Sequence, residues 1–247
     1  MKYWGFCLWL MIVGSLAFGS PFSLPVSTII IDAGHGGSDP GAVGIHTEKE
    51  INLDLALQTA AILKENTDLE VILTRDDDRF VGLAQRAEMA SSVDPGAYFS
   101  ALLVSIHVNS SANEQACGFE VLVKEAAKQV PFLTIDTPVW QMLRYVHNTS
   151  EQLNQQLQQQ NRLLALAMQQ ALASRFPQGR DRGIKEQDLW VLNASKIASV
   201  LVEVAFLSNP EEAVLLADPL WRQQMALGIA EGVLAYINRP EFSSVLQ

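Results

Sequence analysis

"IIIDAGHGGSDPGAVG", residues 29–44, sets a β-branched apolar run directly before a glycine-rich turn that carries one histidine, His35. An apolar run that ends in glycines reads as a buried strand feeding a tight loop. Three chemistries could use such a loop. A phosphate-binding loop needs GxxxxGK[ST], and no lysine follows these glycines; the dinucleotide fingerprint GxGxxG is met only loosely by "GHGGSDPG". The plain reading is an exposed or hydrogen-bonded histidine with no task. The remaining one is a metal ligand, and it needs partners elsewhere in the chain.

Beyond this stretch, strand-like runs at Thr28–Asp32, Leu69–Thr74, Leu102–Ile106, Phe119–Val123 and Ser199–Val204 alternate with helical patterns. The helical patterns are Ile51–Lys64, Leu83–Ala90, Leu153–Ala173, Glu211–Leu216 and Trp221–Tyr236. That order predicts one layered α/β domain. "VSIHV" and "VLVEVAF" are almost continuously apolar, as buried central strands are, so the single polar residue in each, His107 and Glu203, calls for a reason. The glutamine-rich stretch 154–161 runs straight into good helix formers and reads as the polar start of a long helix. No internal repeat is visible. Residues 124–150 have weaker periodicity and contain Pro131 and Pro138, which marks them as an inserted element.

Residues 1–20 join Lys2 to an apolar run from Phe6 to Phe18, with Ala17 and Gly19 at the −3 and −1 spacing of a signal-peptidase site. They resemble a secretory signal peptide; thirteen residues is short of the roughly 20 a membrane span requires, and an uncleaved anchor is the alternative. The whole chain carries 17 basic and 27 acidic residues; removing Lys2 leaves 16 − 27 = −11. So acidic a protein is a poor partner for nucleic acid or other polyphosphates. Of the two cysteines, Cys7 lies in the apolar leader, so Cys117 has no internal partner in the mature chain.

Partners for His35 do exist. His107 ends an apolar strand, where side chains are held rigidly, and Glu48 and Glu50 follow the loop in "HTEKE". Two imidazoles and one carboxylate with an open position are the ligand set of a catalytic zinc site. Thr47-Glu48-Lys49-Glu50 fits the capping box S/T-x-x-E, with Thr47 as N-cap and Glu50 folding back onto it. Glu48 and Glu50 stand about 200° apart around a helix, so both cannot face one ion, and capping leaves Glu48 for the metal. His46 competes for that place, with an exposed loop position as its plain reading, and His147 is read in the same way. Glu203 is a carboxylate on a buried-looking strand, which costs several kcal/mol unless it is paired or its pKa rises. An ion pair with Arg75 or Arg86 is one account; a general base is the other, because burial moves a carboxyl toward a useful pKa.

Taken together, "IIIDAGHGGSDPGAVG", "TEKEINLDLA", "VILTRDDDRFVGLAQRAEMA", "VSIHVNS", "GFEVLV", "DRGI" and "VLVEVAFLSNPEEAVLL" resemble, in order and spacing, the zinc-dependent N-acetylmuramoyl-L-alanine amidases of bacteria and their phages. The resemblance covers about residues 26–237 and implies a twisted, mostly parallel mixed sheet with helices on both faces. It implies zinc held by His35, Glu48 and His107, with Glu203 as the catalytic carboxylate. The implied reaction is hydrolysis of the amide between the lactyl group of N-acetylmuramic acid and L-alanine in peptidoglycan. Arg75, Asp78 and Arg86 match "TRxxDxFVxLxxR" and read as scaffold; Asn109 and Asn209 read as substrate-facing rim residues. The chain departs mildly, with alanine before the phenylalanine of "VEVAF" and valine in "SIHVN". In some relatives an inserted helical segment occludes the zinc until an activator protein removes it. Residues 124–150 occupy the same place; being short, they read first as a surface elaboration with no regulatory role, and the alternative is a lid with Glu125 or Glu151 reaching the metal. A non-catalytic wall-binding module and a zinc peptidase acting on stem peptides are the alternatives to the amidase.

Overall fold

The β-branched run at the start of the decisive stretch forms β1 (Val26–Ala33), the strand around which the domain is laid out. In the computed structural model, residues 20–96, 98–135 and 137–240 are described; all of the expected leader but Ser20 lies outside them. Chain order continues α1 (Glu48–Asn66), β2 (Glu70–Leu73), α2 (Leu83–Ser92), β3 (Ser100–Asn109), β4 (Phe119–Lys124), α3 (Val139–Tyr145) and α4 (Ser150–Arg175). It ends with β5 (Asp181–Gln187), α5 (Trp190–Asn193), β6 (Ala198–Phe206), α6 (Pro210–Ala217) and α7 (Pro219–Ile237). The six strands form one sheet in the order β2-β1-β3-β6-β4-β5. Neighbours run parallel except β4 against β6, so the sheet is mixed and mostly parallel, as expected.

Alternation along the strands sends successive side chains to opposite faces. Ile29, Ile31, Leu102, Val104, Val200 and Val202 point to one face, where they join the main core under α1, α4 and α7. Ile30, Leu103, Leu122 and Leu201 point to the other, beneath the short helices α2 and α5. His107, Glu203 and Glu120 share the parity of Leu103, Leu201 and Leu122, and so belong to this thinly covered face.

The expected helices are present with longer ends. α4 begins at Ser150, three residues before the apolar pattern, because Thr149 caps it: its hydroxyl accepts from the Gln152 N–H at 3.2 Å, and Gln152 returns the bond at 2.8 Å. In the capping box expected before α1, the Glu50 carboxylate accepts from the Thr47 N–H at 3.0 Å.

The inserted segment does not form a lid. β4 runs antiparallel to β6, so it delivers residue 125 to the end of the sheet where β3 and β6 begin. There Phe132 and Tyr145 pack with Phe22, Leu153 and Leu157, and Arg144 donates to the carbonyls of Pro21 (2.8 Å) and Phe99 (2.7 Å). Glu125 follows Lys124 at this end, and Glu151 lies beside Ala126 and Gln129. His107 is seven residues up β3 from Ser100, about 23 Å away at ~3.3 Å per residue. The segment closes the bottom of the domain, and its outward stripe, Val139, Leu143 and Val146, is well exposed.

Candidate metal centre and catalytic edge

At the upper end of β1 the chain turns at His35 with φ 58°, followed by Gly36 at φ 128° and Gly37 at φ 56°. A left-handed histidine is held only if its surroundings determine it. Two buried arginines do so. Arg86 donates to the carbonyls of His35 (2.5 Å) and Ala33 (2.6 Å). Arg75 donates to the carbonyls of Ala33 (3.0 Å), Gly34 (2.8 Å) and, across to α1, Lys49 (2.8 Å). Arg86 also pairs with buried Asp32, which accepts from Thr74 at 2.7 Å and Ser105 at 2.6 Å. Burial alone would raise the Asp32 carboxyl; Arg86 and the two hydroxyls hold it below its usual range. Asp78 ties the loop from outside, accepting from the Gly37 N–H at 2.9 Å and the Lys49 ammonium at 2.6 Å. These arginines are spent on the loop, and neither makes the ion pair with Glu203 considered above.

His35, Glu48 and His107 meet at this loop, with one ligand atom from each lying within 4.8 Å of the others. Glu48 Oε1 is 3.1 Å from His35 Nε2 and 3.0 Å from His107 Nδ1. Glu48 is buried and aimed: its other oxygen accepts from the Ala42 N–H at 2.9 Å, and Asn52 reaches Oε1 at 3.3 Å. Asp39, which sequence reasoning passed over, holds His35 Nδ1 at 2.8 Å and leaves Nε2 for the centre. A carboxylate four residues after a ligand histidine was the available signal.

Glycine answers the question of the opening loop. A Cβ on Gly34 would lie 2.3 Å from the His107 ring, and one on Gly41 would lie 2.5 Å from the Glu48 carboxylate. The glycines make room for an imidazole and a carboxylate. The cluster also favours positive charge at its centre. The hydrogen bond to Glu48, helped by Asp39 and opposed by burial, pushes His35 up to about 9. Burial opposes ionisation of Glu48, but bonds from His107 and His35 hold its carboxyl well below the usual range. Among the described residues, His46 and His147 are not part of this group.

Glu203 stands in register with His107 on β3 and with Glu120 on β4. Its Oε2 is buried without a hydrogen-bond partner, and burial first, with the nearby Glu48 and Glu120 charges, pushes its carboxyl up to about 7 against the pull of His107. Glu120 is a second group the sequence reading did not single out. It is buried between Arg182 (2.7 Å) and Lys185, and it accepts from Asn109 at 3.1 Å. Asn109 thus stands at the edge, bonded to Glu120. The Asn209 side chain is taken up by structure: its oxygen caps α6 at Glu211 (3.0 Å) and Glu212 (3.1 Å), and its amide donates to the Glu114 carbonyl at 2.9 Å.

Comparison with known proteins agrees with this arrangement. Residues 29–235 match the family described as N-acetylmuramoyl-L-alanine amidase. The amidase LytC of Bacillus subtilis is 31% identical over 210 residues, 85% of this chain but 35% of LytC, so the chain spans about a third of that relative. The amidase AmiA of Escherichia coli is 29% identical over 227 residues, 85% of this chain and 76% of AmiA. Among solved structures, an N-acetylmuramoyl-L-alanine amidase from Clostridium difficile 630 superposes with a TM-score of 0.68 at 29% identity, covering 87% of this chain and 99% of that one. The catalytic domain of the amidase CwlV from Bacillus (Paenibacillus) polymyxa gives 0.66 at 32% identity, covering 86% and 99%. With the family matched over most of its length and the same fold beneath it, the chain belongs to the N-acetylmuramoyl-L-alanine amidases.

Proposed function

We propose that the protein is a zinc-dependent hydrolase that cuts the amide between the lactyl group of N-acetylmuramic acid and L-alanine in peptidoglycan. The observation that carries this is the convergence of His35, Glu48 and His107, with the unpartnered oxygen of Glu203 on the adjacent strand. The donor set suits zinc, and Gly34 leaves the space that one of its imidazoles fills. Zinc bound there supplies Lewis acidity toward an amide carbonyl and toward water.

The chain's own residues supply the rest. Asp39 orients His35, and Ala42 and Asn52 orient Glu48, so two of the three ligands are aimed by neighbours of their own. Glu203, with a carboxyl near neutrality, takes a proton from the attacking water and hands it to the departing L-alanine amine. Its burial keeps it poised between the two states, which a solvated glutamate is not. Residues 1–20 serve as an export signal or anchor in this reading, and the enzyme acts in the periplasm or elsewhere in the cell envelope.

Product analysis tests the reading. Purified peptidoglycan digested with zinc-loaded protein should release peptides whose new amino terminus is L-alanine, leaving lactyl-bearing glycan. New termini inside the stem peptide would instead mark a peptidase, and binding without release would mark a wall-binding module.

A further inference from the structure

The thin face of the sheet carries a row of polar side chains across four strands at its catalytic end. His107 on β3, Glu203 on β6 and Glu120 on β4 are in register. On β5, Lys185 pairs with Leu122 and thereby shares its face, and Arg182 bonds Glu120 beside it. Lys185 starts one alternation below this row, level with Leu122, and its ammonium rises to the Glu120 carboxylate, one strand or ~4.8 Å beyond Glu203. The cover on this face, α2 and α5, packs on Ile30, Leu103, Leu122 and Leu201, one or two alternations below the row.

The two cations on Glu120 are held differently. Arg182 bonds Glu120 and is fixed by the Phe206 ring at 4.8 Å and the Cys117 carbonyl at 3.3 Å. Lys185 sits on the edge strand with its side chain 43% exposed, so that its ammonium faces both the buried Glu120 carboxylate and solvent. Its ammonium has three donors, and the bond to Glu120 uses one. Resting on the amidase reading, we infer that Lys185, seated by Glu120 and Arg182, is a subsite for a substrate carboxylate. Extended peptide advances ~3.3 Å per residue, so an ammonium held on Glu120, one strand beyond Glu203, meets a carboxylate about one to two residues past the scissile amide. The ligand class is an acidic stem peptide laid across the strands.

The test uses two soluble muropeptides that differ only in a free carboxylate or a carboxamide on the second stem residue. Cleavage is measured with zinc-loaded wild type, Lys185→Met and Lys185→Arg, and binding by calorimetry to Glu203→Ala with and without Lys185→Met. We expect wild type to favour the carboxylate about tenfold, chiefly through KM. Lys185→Met should bring the ratio near one, Lys185→Arg should restore it, and calorimetry should show the same preference and its loss. A preference that survives Lys185→Met, or none in wild-type cleavage and Glu203→Ala binding, overturns the subsite. A Glu203→Ala protein that binds the carboxylate ligand tenfold better, beside a wild type that cleaves neither substrate, overturns the amidase reading and leaves the subsite standing.

Discussion

Three helices of 19, 26 and 19 residues cover one face of the sheet, whereas helices of 10 and 4 residues cover the other. Among the described residues, 34 buried apolar side chains belong to the core cluster that fills the first face, against seven under the short helices. The strands are the same; only the cover differs. On the thick face apolar residues run to the ends of the strands, including Val108 and Val204. On the thin face apolar cover stops midway, and Asp32, His107, Glu203 and Glu120 take its place. The difference teaches where an enzyme of this build accepts instability: a carboxylate such as Glu203 can stand half-satisfied at a sheet end because the other face supplies the apolar burial.

The largest effect expected is on the thin face, where polar groups do structural work. Arg86→Met strands a buried Asp32 and should cost about 3–5 kcal/mol at neutral pH by urea denaturation. Because the folded pKa of Asp32 lies below 3.8, its contribution is complete above that value and fades as pH falls through the lower folded value. The deficit of the variant should therefore shrink in acid; a deficit independent of pH would mean that the pair is not what Arg86 supplies.

Next come matched truncations. Leu164→Ala under the thick face should cost about 4 kcal/mol, and Leu192→Ala on the four-residue α5 about 2, because thin cover collapses more readily into the space left. Equal costs would erase the asymmetry.

Glu203→Gln should move the other way. A carboxyl raised from 4.5 to about 7 is protonated in both states below pH 4.5, is penalised increasingly from there to 7, and bears the full penalty above. In metal-free protein the variant should gain roughly 3 kcal/mol at pH 8 and nothing at pH 4. No gain at pH 8 would show Glu203 to be comfortably solvated. Smallest is Leu143→Ser on the outward stripe of α3: the residue is 69% exposed, and stability should stay within about 0.5 kcal/mol.

The thick-faced frame was legible because apolar runs and helical periodicity announce it; β1, β3, β4 and β6 each contain the run that predicted them. β5 was not, since "DRGIKEQ" has a single strongly apolar residue, as befits an edge strand with little to bury. α5 is too short to show a period, and the prolines at 131 and 138 hid α3. Within the site, the capping box singled out Glu48 locally, and the structure brings it against both histidines. Asp39 was legible as a carboxylate four residues after His35 and was passed over, whereas Glu120, Arg182 and Lys185 escaped because their meaning depends on strand order, which no local pattern carries. The choice between lid and surface elaboration also turned on strand order: the antiparallel β4 sends residues 124–150 to the end of the sheet away from His107.

The most direct test of the central claim joins metal content with chemistry. Purified mature protein, wild type and Glu203→Ala, is assayed for bound zinc and for release of stem peptides from peptidoglycan. The account predicts one zinc per chain in both, with peptides released by wild type alone. A wild type that takes up no zinc and releases nothing would contradict it.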